Sequence, residues 1–248
     1  MAWFEELFNE DYDRIYFSTF TPERNTSEAD FIEAALHLPQ GSSLLDLACG
    51  HGRHALELAQ RGYQVVGLDL SRRFIAMARQ SARAKNLSSP EFVAEDMRSL
   101  HFETRFEGVY TYFTSFGFFS EEENRQVLEK VGRALKPGGR FLFETVNRDW
   151  IIHKVEHQPR RWEEPEKGFF LLEDISFNAH TSRIHTKRII LDQGRQRSVE
   201  FDIKLYTHAE LEDLLEEAGM RVIATYGNKD FSAYSVSSPR MAVVSRKE

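Results

Sequence analysis

The 248-residue chain has a single cysteine, Cys49, so neither an intrachain disulfide nor a cysteine-built zinc site can form within it. It has no apolar run long enough to span a bilayer. Its first residues, Met1-Ala-Trp-Phe-Glu-Glu, lack the basic stretch and apolar core of a secretory signal, so a cytoplasmic location is expected. Positive charge is in short supply: 32 Lys and Arg face 39 Asp and Glu, a net charge of −7. No overall positive field draws in nucleic acid or an anionic membrane, and neither is an expected partner. Internal repeats and low-complexity segments are missing too. What remains is an ordinary globular composition, 41% hydrophobic, long enough for one α/β domain with a modest insertion.

Hydrophobic spacing gives the order of elements. Trp3, Phe4, Leu7 and Phe8 form an apolar stripe at helical spacing, continued by Tyr12, Ile15, Tyr16 and Phe17. Ser27 is a candidate cap for a helix carrying Phe31, Ala35 and Leu38. From Ser43 strands and helices alternate: strands near 44–48, 64–68, 91–94, 108–113 and 140–146, and helices capped by Ser71 and by the Ser120-x-x-Glu123 capping box. Lys136-Pro137-Gly138-Gly139 breaks the chain after the latter helix. Alternation of this kind predicts a mostly parallel sheet with helices on both faces.

After Asn147 the rhythm changes. Residues 169–177, 183–191 and 198–206 alternate apolar with polar and predict a three-stranded antiparallel insertion, with turns at 178–182 and 192–194. A second capping box, Thr207-x-x-Glu210, restarts the main pattern, which ends in strands near 221–226 and 241–245.

The most informative segment is Leu44-Leu45-Asp46-Leu47-Ala48-Cys49-Gly50-His51-Gly52-Arg53. An apolar strand enters a glycine turn and a helix follows; Asp69 closes the next strand. This is the spacing of a βαβ unit that holds a nucleoside, with the acid accepting from ribose hydroxyls. Gly50-x-Gly52-x-x-Ala55 also satisfies the dinucleotide fingerprint formally. Asp46 beside the turn suits a cationic ligand tail and would repel a pyrophosphate.

Asp46-x-x-x-Gly50-x-Gly52, Asp69, Asp96-Met97 and Lys136-Pro137-Gly138-Gly139 together resemble the class I methyltransferases that use S-adenosyl-L-methionine (SAM). The resemblance implies a Rossmann-like seven-stranded sheet of order 3-2-1-4-5-7-6 with its last strand antiparallel. It implies SAM as cofactor and S-adenosyl-L-homocysteine as product. Ala48, Gly50 and Gly52 would meet the methionine part through the backbone, with Asp46 orienting it. Asp69 would take the ribose, Leu70 and Met97 would pack or bond at the adenine, and Asp96 would accept from its amino group. Phe113 would lie beside the cofactor near the acceptor. Tyr12 and Tyr16 resemble tyrosines that close over SAM in small-molecule N-methyltransferases, a subgroup that the insertion also resembles. The organisation implied is an N-terminal segment over 1–40 closing on the cofactor, a SAM-binding domain from 41–148 and 207–248, and an insertion over 149–206 that caps the acceptor or dimerises.

The expected reaction is in-line transfer of the methyl group to an amine or hydroxyl of a small molecule, by a monomer or homodimer. Candidates for a catalytic group are Tyr16, His153 and His157. His153-Lys154-Val155-Glu156-His157 matches a zinc peptidase pattern, but Pro159 limits the helix and no third ligand stands out, so no metal is expected. Phe113, Phe116, Phe118 and Phe119 are either core or acceptor pocket. Arg160-Arg161, Lys187-Arg188, Arg195 and Arg197 read as a solvated strand face or as a site for an acidic substrate group. Alternatives are an RNA or protein methyltransferase, a non-catalytic SAM-binding regulator and a nicotinamide-dependent oxidoreductase. No Asn-Pro-Pro-Tyr or Asp-Pro-Pro-Tyr segment is present to methylate a DNA base amine.

Overall fold

The computed structural model describes residue 4 and residues 7–248, so Trp3 of the N-terminal stripe lies outside the described residues. Helix α1 (Glu10–Tyr16) is capped by Asn9, and α2 (Pro22–Leu36) by Thr21, with Pro22 in the first turn. Ser27 therefore sits inside α2 and is not its cap; Thr21 and Pro22 together form the stronger start signal. The alternating region then gives β1 (Ser43–Leu47), α3 (Arg53–Gln60), β2 (Gln64–Asp69), α4 (Arg72–Ala84), β3 (Glu91–Ala94), β4 (Phe106–Thr111), α5 (Glu121–Ala134) and β5 (Leu135–Val146). Ser71 and the Ser120–Glu123 box cap α4 and α5 as expected. Lys136–Gly139 falls within the bulged start of β5, since α5 already ends at Ala134.

Past α6 (Arg148–His157) lie β6 (Arg160–Glu166), β7 (Phe169–Asn178), β8 (Arg183–Asp192) and β9 (Arg195–Lys204), then α7 (His208–Glu217), β10 (Met220–Tyr226) and β11 (Arg240–Lys247). The main sheet has the order β3-β2-β1-β4-β5-β11-β10, with β11 antiparallel to both neighbours. The insertion has four antiparallel strands, not three. The extra strand, β6, reads Arg-Arg-Trp-Glu-Glu-Pro-Glu and is almost wholly exposed, so it carries no apolar alternation to detect. It is a charged, proline-bearing edge, the chemistry that discourages further strand addition.

Both faces of the main sheet are buried. Leu45, Leu47, Val109, Phe141 and Phe143 pack on α5 and α7, while Leu44, Val65, Tyr110 and Leu142 pack on α2, α3 and α4. Period-two alternation sends neighbours to opposite layers, so each strand reads as a continuous apolar run. A small third cluster joins Ile15 of α1 to Phe169, Leu171 and Ile190 of the insertion, with Tyr16 at its edge. It brings α1 against the insertion and thereby over the carboxyl ends of β1 and β4.

Candidate active site

The sheet order reverses at β1: β2 and β3 lie to one side, β4 and β5 to the other. Loops leaving the carboxyl ends of neighbouring strands diverge there and open a crevice. It holds about 910 Å³ of empty space, counting its open mouth, and is lined by residues from the ends of all four strands β1 to β4 and from the N-terminal segment. Among the sequence candidates, Tyr12, Asp46, Ala48, Gly50, Asp69, Leu70, Asp96, Met97 and Phe113 all border it.

The glycine turn is shaped for close approach. Ala48, Gly50 and Gly52 all have left-handed backbones, at φ 63°, 56° and 80°. A Cβ on Gly50 would meet nothing within 4 Å, so that position opens onto the crevice. Gly52 does not border the crevice. A Cβ there would strike the Phe92 ring at 2.7 Å, so this glycine serves helix–sheet packing instead.

Asp69 at the end of β2 accepts from Gly50 N and Ser71 N, each at 2.8 Å, and burial raises its carboxyl. Those two bonds use one lone pair on each oxygen and leave the others for a ligand's hydroxyls. Asp46 on β1 is buried, and its Oδ2 has no hydrogen-bond partner. Burial pushes its carboxyl up to about 7, against the pull of the Tyr110 hydroxyl and Arg53. A buried carboxylate with one oxygen unpartnered at the wall of a crevice fits a cationic group supplied from outside. Asp96 caps the turn at Met97 by accepting from Arg98 N at 2.8 Å, and Arg98 Nη2 clamps its other oxygen at 2.7 Å. The cap fixes the carboxylate at the crevice edge.

Sequence reasoning missed the support behind the glycine turn. Arg53 and His54 line the crevice and both bond Glu28 of α2, His54 Nε2 at 2.9 Å; Arg24 Nε donates to the same carboxylate at 2.8 Å. Burial alone would raise Glu28, but His54, Arg53 and Arg24 outweigh it and hold it low. Burial, with Arg53 beside it, lowers His54 to about 4, and His51 likewise. Twenty-five residues separate Glu28 from Arg53, so no local pattern announces the pair.

Phe113 is held by a second buried acid. Its N–H donates to Glu144 Oε2 at 2.7 Å, and Arg240 Nη2 donates to that oxygen at 2.8 Å. Phe113 and Thr114 both carry left-handed backbones, at φ 66° and 61°. Two consecutive strained non-glycine residues at a cavity wall mark a place the fold over-determines. In the aromatic run after β4, Phe116 joins the core, Phe119 joins it while also bordering the crevice, and Phe113 and Phe118 line both the crevice and a second chamber.

That chamber, about 1060 Å³ with its mouth, lies between the crevice and the insertion. Tyr16 borders the chamber and not the crevice; its hydroxyl accepts from Arg188 Nη2 at 2.9 Å. His153 and His157 border neither cavity. They are exposed on α6, with rings 4.4 Å apart, and their candidacy as a general base is not carried by this placement. Among the described residues no group of three or more His, Cys, Asp or Glu is placed to hold a metal ion. Burial pushes the Cys49 thiol well up, which makes it a poor nucleophile.

Residues 44–139, the stretch that builds the crevice, match the family described as a methyltransferase domain. YqeM of Bacillus subtilis (strain 168), named as a methyltransferase, is 28% identical over 83% of this chain and 84% of its own. The fold is shared with an S-adenosylmethionine-dependent methyltransferase of Clostridium acetobutylicum ATCC 824 (TM-score 0.79, 17% identity, 98% of each chain). It is also shared with SAM-bound CalS10, an amino pentose methyltransferase of Micromonospora echinaspora (TM-score 0.68, 22% identity, 96% of this chain and 98% of that one). Residues 44–139 form a methyltransferase domain, and the chain around it has the fold of SAM-dependent methyltransferases. SAM is the cofactor of such methyltransferases, and the crevice fits it: a buried acid with one oxygen unpartnered, a second acid with lone pairs to spare, and a glycine open to approach. Three further curated relatives are matched over under half of their own length.

Proposed function

We propose that this methyltransferase moves the methyl group of SAM to a small-molecule acceptor, an amine ahead of a hydroxyl, held in the second chamber. The observation that carries the reading is the wall common to both cavities: Phe8, Tyr12, Phe113, Ser115 and Phe118 line the crevice and the chamber alike. These shared residues make the two cavities immediate neighbours, so an acceptor in one has to meet the methyl group of a cofactor in the other between these side chains. On this reading residues 1–40 close over the cofactor and 149–206 cap the acceptor.

When bound, SAM supplies a methyl group on a cationic sulfur. The chain's residues bind and orient. Asp69 would take the ribose hydroxyls, Asp46 the ammonium of the methionine part, and Gly50 the tail by close backbone approach. Leu70 and Met97 would pack at the adenine beside Asp96. The rings of Tyr12, Phe8 and Phe113 exclude water and present faces that attract a cation. Alignment and desolvation are what such a displacement asks of a protein.

The amine is favoured because the described residues offer the chamber no ready base. Arg188 and Arg161, against the raising effect of burial, hold Glu173 below its usual range, and His51 and His54 in the crevice stand near 4. A neutral amine attacks without a base, whereas a hydroxyl needs one. A net charge of −7 argues against a polyanionic acceptor. CalS10, named as an amino pentose methyltransferase, adds weight to a small amine. The test is isotopically labelled SAM with a metabolite extract. Label should move into low-molecular-weight products; label found only in RNA or protein would contradict the proposal.

A further inference from the structure

We infer that the second chamber receives an acceptor bearing a carboxylate, which Arg188 binds with Arg161 beside it. The inference rests on the chamber being the acceptor site.

The argument is one of charge matching. Four charged side chains line the chamber: Arg161, Arg188, Arg240 and Glu173. Arg240 is matched by Glu144, which it grips through both Nε and Nη2. Within the lining that leaves two guanidiniums on one carboxylate, although Arg161, half exposed, also has Glu163 outside the chamber at 3.7 Å. Arg188 Nε donates to Glu173 Oε1 at 2.8 Å, and Arg161 Nε to Oε2 at 2.6 Å. The chamber thus holds one positive charge more than its own acids neutralise, amid Ile175, Ile184, Phe201 and Ile203.

The surplus cannot be left to bulk water at Arg188, which is 3% exposed. Its bonds engage Nε with Glu173 and Nη2 with Glu173 and Tyr16; among the described residues Nη1 has no hydrogen-bond partner. The rings of Phe201 and Tyr16 lie 5.2 and 5.7 Å from its guanidinium carbon. A guanidinium edge with no protein partner is free to donate to an anion. A planar carboxylate suits that edge, and one surplus charge matches a monoanion.

The alternative is that Arg188 only pins the insertion to α1 through Tyr16. Titration calorimetry on the full chain saturated with S-adenosyl-L-homocysteine separates the two. The probes are the common amino acids, their carboxamides, and glucosamine 6-phosphate. At least one acid should bind about tenfold tighter than its carboxamide, the worth of one charge-assisted hydrogen bond. Arg188→Gln should erase that preference and Arg188→Lys restore part of it. Tyr16→Phe, which removes the pinned phenol but leaves the guanidinium, should keep it. Should Arg188→Gln fail to fold, Arg161→Gln, on a half-exposed side chain, should weaken the preference. Equal binding of acids and amides, no binding of any acid, preference for the phosphate, or a preference that survives Arg188→Gln would overturn the inference while homocysteine-adduct binding leaves the methyltransferase reading intact. A wild-type chain that does not bind S-adenosyl-L-homocysteine would bring down both.

Discussion

Asp46 and Asp69 are two carboxylates in one crevice with different environments. Asp69 is satisfied by backbone N–H groups and keeps lone pairs for a diol; Asp46 is buried with an oxygen unpartnered. Asp69→Ala should weaken SAM binding by at least about tenfold, since charge-assisted hydrogen bonds are lost; titration calorimetry checks this, and unchanged affinity would remove Asp69 from the site. For Asp46 the expectation concerns pH. Its carboxyl stands near 7 in the folded protein, above its ordinary value. The folded state therefore holds a proton that the unfolded state has released, and without ligand stability falls as pH rises from about 4 through 7. A cationic tail needs the charged form, so SAM affinity should rise across the upper part of that window. Asp46→Asn should flatten both trends, as melting and binding series in pH would show. Gly52 belongs to packing: Gly52→Ala forces a left-handed backbone and a Phe92 clash, and should cost on the order of 1–3 kcal/mol by denaturant unfolding.

At the scale of elements, α1 is strapped down more than its seven residues would suggest. Arg14 pairs Glu166 at 2.8 Å and Asp192 at 2.9 Å while its guanidinium lies 3.9 Å from the Phe169 centroid. Arg197 reaches Asp11 at 2.7 Å, and Arg73 of α4 holds Asp13 from the other side. Each half-exposed pair is worth about 0–1 kcal/mol, so the apolar cluster must carry more of the docking. Phe169 is fully buried there against Ile15. Phe169→Ala should cost about 3–5 kcal/mol of the insertion's stability. Hydrogen exchange should then quicken across α1 and β7, while β1 and β2 stay protected; uniform protection would show that α1 does not depend on the insertion.

Across the whole molecule, the legible parts were those with a local cause. The glycine turn, the caps at Ser71, Ser120 and Thr207, and the strand–helix alternation each follow from a few neighbouring residues, whereas the order of the main sheet came with the family resemblance. What escaped had no local signal. β6 is too charged to alternate, and Glu28 supports Arg53 and His54 from another helix. Arg188 reads in the sequence as part of a solvated strand face or of a site for an acidic substrate group; the tertiary fold turns it inward against Tyr16. Gly52 sat within the motif, yet its neighbours are Phe92 and Ala78.

A crystal structure with S-adenosyl-L-homocysteine is the most direct measure of the central claim, that the crevice at the sheet's switch point holds the cofactor through Asp69 and Asp46. Both ribose hydroxyls should lie about 3 Å from the Asp69 carboxylate, and the amino group should lie beside Asp46. Density for the ligand outside this crevice, or an adenosine whose ribose faces away from Asp69, would contradict it.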